Sequence, residues 1–313
     1  MKPCSPARPT WYAVLVVLLA ACGSSDPKLG GDDGPPVDAS VDADPDGFIS
    51  LLEGDWQLAP GAEGYFCVYA TVPRDIYIKS FRPIAPLGTH HTVLTRYTGA
   101  SPADGVVPCN VGTNGQSMIY GSGVGAPDFD FPPGIGLHLA PGQRLLLNLH
   151  LFNASDQPLS GRSGALFKEA TAAEVPNLAE LVLAGPTFTL NVPEGVSTQS
   201  GTCAINNVAQ APIQVFALSQ HMHKLGTHMR STVSRSGSPE IMLQDIAYDF
   251  EEQTFHHTSA LVELRPGDVL KTECTYNNTT GAIVRFGESS NDEMCFTDLF
   301  YYPAQGASYI CTN

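Results

Sequence analysis

Basic residues are scarce in this chain: Lys and Arg number 16 against 31 Asp and Glu, for a formal net charge of −15. That balance argues against nucleic acid or anionic lipid as a partner. Long apolar runs are lacking too. The candidate run, residues 11–21, is shorter than the roughly 20 residues a spanning helix needs. No segment carries a convincing helical stripe, residues 170–183 being only a weak candidate, and nothing repeats at a fixed period. Neither a helical nor a repeat architecture is therefore expected.

The short apolar run reads instead as a signal-peptide core covering residues 1–21. Lys2 and Arg8 precede it, and it ends in Leu19-Ala20-Ala21-Cys22. Small residues before a cysteine are where lipoprotein signals are cut, which leaves Cys22 to carry a lipid. The expected location is exported and lipid-anchored at a bacterial cell envelope, with the membrane touched through the lipid alone. Residues 22–49 form a tether rich in Asp, Pro and Gly. Its stretch 23–47 holds seven Asp and no aromatic residue. Such a segment buries too little apolar surface to offset chain entropy and is expected to be disordered. Asp42, Asp44, Asp46, Gly47 and Glu53 fit the spacing of a calcium loop. The preceding Gly34-Pro35-Pro36-Val37 cannot form the entering helix, so the match reads as linker, with calcium left open.

Once Cys4 leaves with the signal and Cys22 takes the lipid, Cys67, Cys109, Cys203, Cys274, Cys295 and Cys311 remain. An even number in an oxidising compartment implies three disulfides, with the pairing open, and argues against thiolate metal ligation. Short apolar or alternating runs recur at 65–72, 76–81, 92–97, 144–152, 187–192, 213–218, 260–264, 269–276, 283–286 and 295–302, punctuated by Pro-Gly, Asn-Gly and Gly-Asp breaks. Many short strands at this spacing point to antiparallel β-sandwiches. The least strand-like stretch, 168–176, divides the body into residues 50–175 and 176–313.

Four features carry chemistry. In Val215-Phe216-Ala217-Leu218-Ser219-Gln220-His221-Met222-His223, residues two apart share a strand face, so His221 and His223 project together as a natural pair of ligands for zinc or copper. His90 and His91 are neighbours, which on a regular strand point apart; both reach one ion only where the chain bends, and Gly88 permits a bend. His150 is one imidazole in an aliphatic strand, which by itself reads equally as a hydrogen-bonded core residue. Met294 sits beside Cys295, and a thioether is a soft ligand that chooses Cu(I) over zinc, though alone it would read as packing.

Taken in order, His-His, a single His in an aliphatic strand, His-x-His, then Asp292-Glu293-Met294-Cys295 resembles the copper type II ascorbate-dependent monooxygenases, the family of the peptide-amidating hydroxylase and dopamine β-hydroxylase. Pro266-Gly267-Asp268-Val269-Leu270, Cys274-Thr275-Tyr276-Asn277 and Tyr301-Tyr302-Pro303 are further anchors, and the likeness runs from about Glu63 to Cys311. It implies an all-β fold of two tandem antiparallel jelly-roll-like β-sandwich domains, facing each other across a solvent-filled cleft and disulfide-linked within each. It also implies two copper ions: an electron-transfer site at His90, His91 and His150, and an oxygen-binding site at His221, His223 and Met294, the residues then expected to be catalytic. The implied disulfides are Cys67–Cys109, Cys203–Cys311 and Cys274–Cys295. His138, His228, His256 and His257 match no ligand position.

The activity that follows is hydroxylation of a C–H bond in a small organic substrate by O₂, with ascorbate or another one-electron donor. Two departures bear on the substrate. Where both named branches carry Tyr, four residues past the methionine, this chain has Asp298. Where the peptide-amidating branch has a carboxylate-binding Arg, it has Ser219. Strand periodicity puts both in the pocket, so a neutral or cationic substrate is expected rather than a glycine-extended peptide. The alternative is a surface copper-binding or redox protein that kept the metal sites without turnover; a weaker one is a sandwich with residual histidines that binds no copper.

Overall fold

The structure is a computed structural model that describes residues 44–312, apart from 100–101, 111–116, 251 and 307–309. The expected signal peptide, Cys22 and most of the expected tether lie outside the described residues. The described residues belong to one compact unit.

The chain is all-β. Among the described residues the only helical element is a 3₁₀ turn at Ile205–Asn207. The weak helical candidate at 170–183 is overturned: its second half forms strands Asn177–Leu178 and Glu180–Ala184. Pro176 lacks the N–H a helix needs at that point, and Leu181, Val182 and Ala184 instead gain burial in sheets. The expected strand at 187–192 shrinks to Asn191–Val192.

In the first half, a sheet ordered Ile49–Leu58, Leu159–Ala170, Ile76–Ile84, Ile135–Leu139 packs on a five-stranded sheet. That second sheet runs Gly105–Pro108, Glu63–Thr71, Arg144–Phe152, Thr89–Tyr97, Ser117–Gly123. Trp56, Phe81 and Phe167 from one face meet Leu94, Leu147 and Leu149 from the other in a shared core. In the second half, the sheet His256–Leu264, Ile213–His221, Phe296–Tyr302, Glu180–Ala184, Ile310–Cys311 packs on Gly195–Ala204, Val269–Asn278, Gly226–Ser234, Ile241–Ala247. Ile213, Val215, Leu299 and Tyr301 bury against Val233 and Leu270.

The two halves meet through aromatic rings. Phe300 stacks on Phe129 at 5.1 Å between centroids, and Phe216 lies 5.9 Å from Phe131. All three implied disulfides are present, Cys67–Cys109, Cys203–Cys311 and Cys274–Cys295. Near the start of the body, Arg82 bonds the carboxylates of Asp44, Asp46 and Asp128. A guanidinium thus occupies acidic groups that the sequence aligned with a calcium loop.

Candidate metal centre

The first cluster depends on an irregularity in the strand Thr89–Tyr97. Its register against Arg144–Phe152 jumps from Thr89↔Leu151 to His91↔His150, leaving His90 as an extra, bulged residue. A bulge re-aims side chains that a regular strand would send to opposite faces. Gly88 enters it at φ +97, where a Cβ would lie 2.7 Å from both Trp56 and Leu159 side chains. Only glycine fits that backbone and that space.

His90 and His91 bring their Nδ1 atoms within 3.0 Å of each other. The His150 ring lies 4.9 Å from His90 and 4.7 Å from His91, between centroids. One nitrogen from each of the three falls within 4.8 Å of the others. Tyr65 stacks on His150 at 4.5 Å and 8°. His150 Nε2 donates to Glu63 Oε1 at 2.6 Å, while His150 Nδ1 and His90 Nε2 are buried without a hydrogen-bond partner.

Burial, more than any other cause, lowers the pKa of His90 to about 4 and that of His91 well below the usual value. It also lowers His150, despite the opposing carboxylate of Glu63. Neutral imidazoles with orphaned buried nitrogens are the form that ligates a metal, and orphaned polar atoms are rare in protein interiors. The set fits a copper ion.

The second set is built at a strand end. The strand Ile213–His221 stops at His221, so His223 lies just beyond it rather than on it, as regular alternation predicts. The rings nevertheless stand 5.3 Å apart at 87°. His221 Nδ1 donates to Gln253 Oε1 at 2.7 Å, and His223 Nδ1 to the Asp292 carbonyl at 3.1 Å. Each bond fixes a tautomer that leaves Nε2 with its lone pair. The turn after the strand is held by Glu293, whose carboxylate accepts the His223 and Leu225 amides at 2.9 and 2.8 Å. Burial raises Glu293 to about 7. Met294 follows it directly; its carbonyl accepts from the Tyr276 hydroxyl at 2.6 Å.

Ser219 and Asp298 are cross-strand partners. With His91, His221, Gln253 and Met118 they line a cavity of about 40 Å³. Burial pushes Asp298 well above the usual carboxylate range, and its Oδ1 has no partner. Its burial thus disfavours the ionised form of this carboxyl. Among the described residues, the expected solvent-filled cleft is not seen between His91 and His221, whose rings are 6.5 Å apart.

Sequence reasoning missed Glu63, Gln253, Glu293 and Phe250, the last lying 4.3 Å from the His90 ring. The remaining histidines are elsewhere: His138 on Asp75, His228 on Asp245, His257 stacked on Phe129 and His256 beside Thr254.

Residues 179–313, which carry the His-x-His turn, Met294 and Asp298, match the copper type II ascorbate-dependent monooxygenase C-terminal domain. Over that stretch the chain is similar to the copper type II ascorbate-dependent monooxygenases. It is 30% identical over 205 residues to DBH-like monooxygenase protein 1 of Mus musculus, covering 60% of this chain and 33% of that protein. It is 26% identical over 261 residues to peptidyl-glycine alpha-amidating monooxygenase A of Xenopus laevis, covering 80% and 28%. Against dopamine beta-hydroxylase of Rattus norvegicus it is 27% identical over 276 residues, covering 79% and 44%. The chain thus spans less than half the length of these relatives.

Proposed function

We propose that the chain is a copper-dependent monooxygenase that hydroxylates a C–H bond of a small organic molecule, taking one oxygen atom from O₂ and two electrons from a one-electron donor such as ascorbate. The observation that carries this reading is the convergence of the half-buried His90, His91 and His221 with the buried His150 and His223 in one place. One copper would be held by the first three, and a second by His221, His223 and Met294. Copper ligated by imidazole and thioether cycles between Cu(I) and Cu(II) and activates O₂. The balance is R–H, O₂, two electrons and two protons giving R–OH and water.

The chain's own residues do the rest. Gln253 and the Asp292 carbonyl orient the two imidazoles of the second set. Ser219 and Asp298 would meet the substrate. A protonated carboxyl with a free oxygen offers a donor and an acceptor, which suits a hydroxyl or amine on a neutral or cationic substrate. The body would be organised as two tandem jelly-roll-like domains, residues 50–175 and 176–313, and three disulfides suit an exported protein, tethered by a lipid on Cys22.

The second reading, a surface copper-binding or redox protein, is favoured by one observation: the 40 Å³ cavity is too small for more than a few atoms. Oxygen uptake by the copper-loaded protein with ascorbate separates the two. Stimulation by an organic compound, with hydroxylated product, supports the monooxygenase. Uptake that yields only peroxide across a broad substrate screen supports the redox protein.

A further inference from the structure

We infer that Glu63 is a positioning residue for the first copper, holding His150 for ligation, and that Ser290 on the Met294 loop holds Glu63, so that one loop of the second half orients ligands at both sites. The inference rests on the copper reading above and concerns two residues that this reading leaves unassigned.

Three observations carry it. The first is direction. His150 is 2% exposed, and its Nε2–H points at Glu63 Oε1 across 2.6 Å, with Nδ1 left buried and unpartnered. An imidazole that gives its proton to a carboxylate on one side must present a lone pair on the other. That is how a carboxylate–histidine–metal arrangement fixes tautomer and ring orientation and raises ligand basicity. The second is confinement. Tyr65, two residues beyond Glu63 on the same strand, stacks almost parallel on the His150 ring, so ring plane and ring azimuth are set by two same-face positions of one strand.

The third is the link to the other half. Ser290 Oγ donates to the same Glu63 oxygen at 3.2 Å, although 227 residues separate them. Ser290 is itself buried. Two and three residues further on, the Asp292 carbonyl and the Glu293 carboxylate hold His223. The segment 290–294 therefore serves His150 through Glu63, serves His223 directly, and ends on Met294. A shift of this loop moves a ligand of each set together.

The test uses the full chain, loaded with copper, as the parent and as Glu63→Ala, Glu63→Gln and Ser290→Ala. Per-site Cu(II) affinity is measured against a competing chelator, with Cu(II) paramagnetic resonance and the midpoint potential recorded alongside. Circular dichroism and the three disulfides report folding. Glu63→Ala is expected to weaken one site about 10–100-fold and leave the other unchanged. Glu63→Gln keeps an acceptor oxygen without the charge, so the loss should be smaller, and it remains informative if the alanine variant folds poorly. A less basic imidazole disfavours Cu(II) more than Cu(I); a tenfold difference raises the potential by about 59 mV. Ser290→Ala should alter the first copper's resonance in the same sense, though it touches no ligand. If the parent holds two coppers and Glu63→Ala and Glu63→Gln leave affinity, resonance and potential unmoved, the positioning role is wrong while the copper reading stands. Unchanged resonance in Ser290→Ala alone removes the inter-loop tie. A parent that binds no copper overturns the copper reading and this inference with it.

Discussion

The rings of His91 and His221 stand 6.5 Å apart and nearly perpendicular, although one belongs to the first half of the chain and the other to the second. The two sets are placed by different contacts. His91 sits opposite His150 across a strand pair, whereas His221 is held by Gln253. Two metal ions bound this way should be separable by mutation despite their closeness. The copper-loaded parent is expected to hold two coppers, and His90→Ala or His150→Ala one. Elemental analysis after gel filtration reads the count. Loss of both ions on either change would mean a single shared centre.

Copper binding should be insensitive to pH over an unusual range. A free imidazole titrates near pH 6.5 and competes for protons below that. Burial, reinforced by neighbouring histidines, instead brings His90 to about 4 and His223 to about 3. Lowering a base's pKa moves the window of proton competition downward, so between pH 7.5 and about 5 binding displaces no protons from these two. Affinity measured with a chelator corrected for its own protonation should show proton competition from His90 and His223 only below that span. A decline that begins at pH 6.5 would contradict the burial of these rings.

Asp298→Asn should stabilise the copper-free protein at neutral pH. Burial raises the folded-state pKa of Asp298 far above the 3.8 of an unperturbed aspartate. A raised acid contributes stability that is complete below the unfolded value and is lost as pH rises toward the folded one. The amide carries no such penalty. The Tm of the variant should exceed the parent's at pH 7, by roughly 2–4 °C for each kcal/mol recovered, and the gap should close toward pH 4. If the parent is the more stable at pH 7, Asp298 is ionised in the fold.

Gly88→Ala probes the bend that unites His90 with His91. The new Cβ would meet Trp56 and Leu159 at 2.7 Å on a backbone at φ +97. Destabilisation of more than about 1 kcal/mol is expected, with weakened copper at the first site and the second intact. Chemical unfolding and per-site affinity check both parts. Parent-like affinity at the first site would show that the bulge forms without glycine.

These positions also mark what was readable before the fold was known. Gly88 next to paired histidines signalled a bend, because a regular strand cannot aim neighbours at one ion. The strand Arg144–Phe152 was legible to the residue from its apolar run. Gly195–Ala204 was missed because it alternates Ser, Thr and Gly, with half-exposed side chains and no apolar rhythm. The groups that orient the imidazoles were invisible for another reason. Glu63 lies 87 residues from His150, and Glu293 lies 70 from His223. Only strand register brings them together, and no local pattern records it.

Met294 separates a soft metal ligand from a packing residue. Its backbone is pinned on both sides, by Glu293 against the His223 turn and by the Cys295–Cys274 disulfide. Met222 and Met229 are fully buried in the core beneath, but Met294 is only partly buried and stands outside that core. Met294→Ile keeps the apolar bulk, so the folding cost should be about 1.5 kcal/mol or less. Cu(II) should still bind, since His221 and His223 remain. Thioether chooses Cu(I), so Cu(I) affinity at the second site and substrate-driven O₂ uptake should collapse. A packing role gives the opposite pattern: lower Tm with unchanged oxygen chemistry. If Met294→Ile retains Cu(I) affinity and substrate-driven uptake near the parent level, Met294 is no ligand, and the second copper must be held by other groups around His221 and His223.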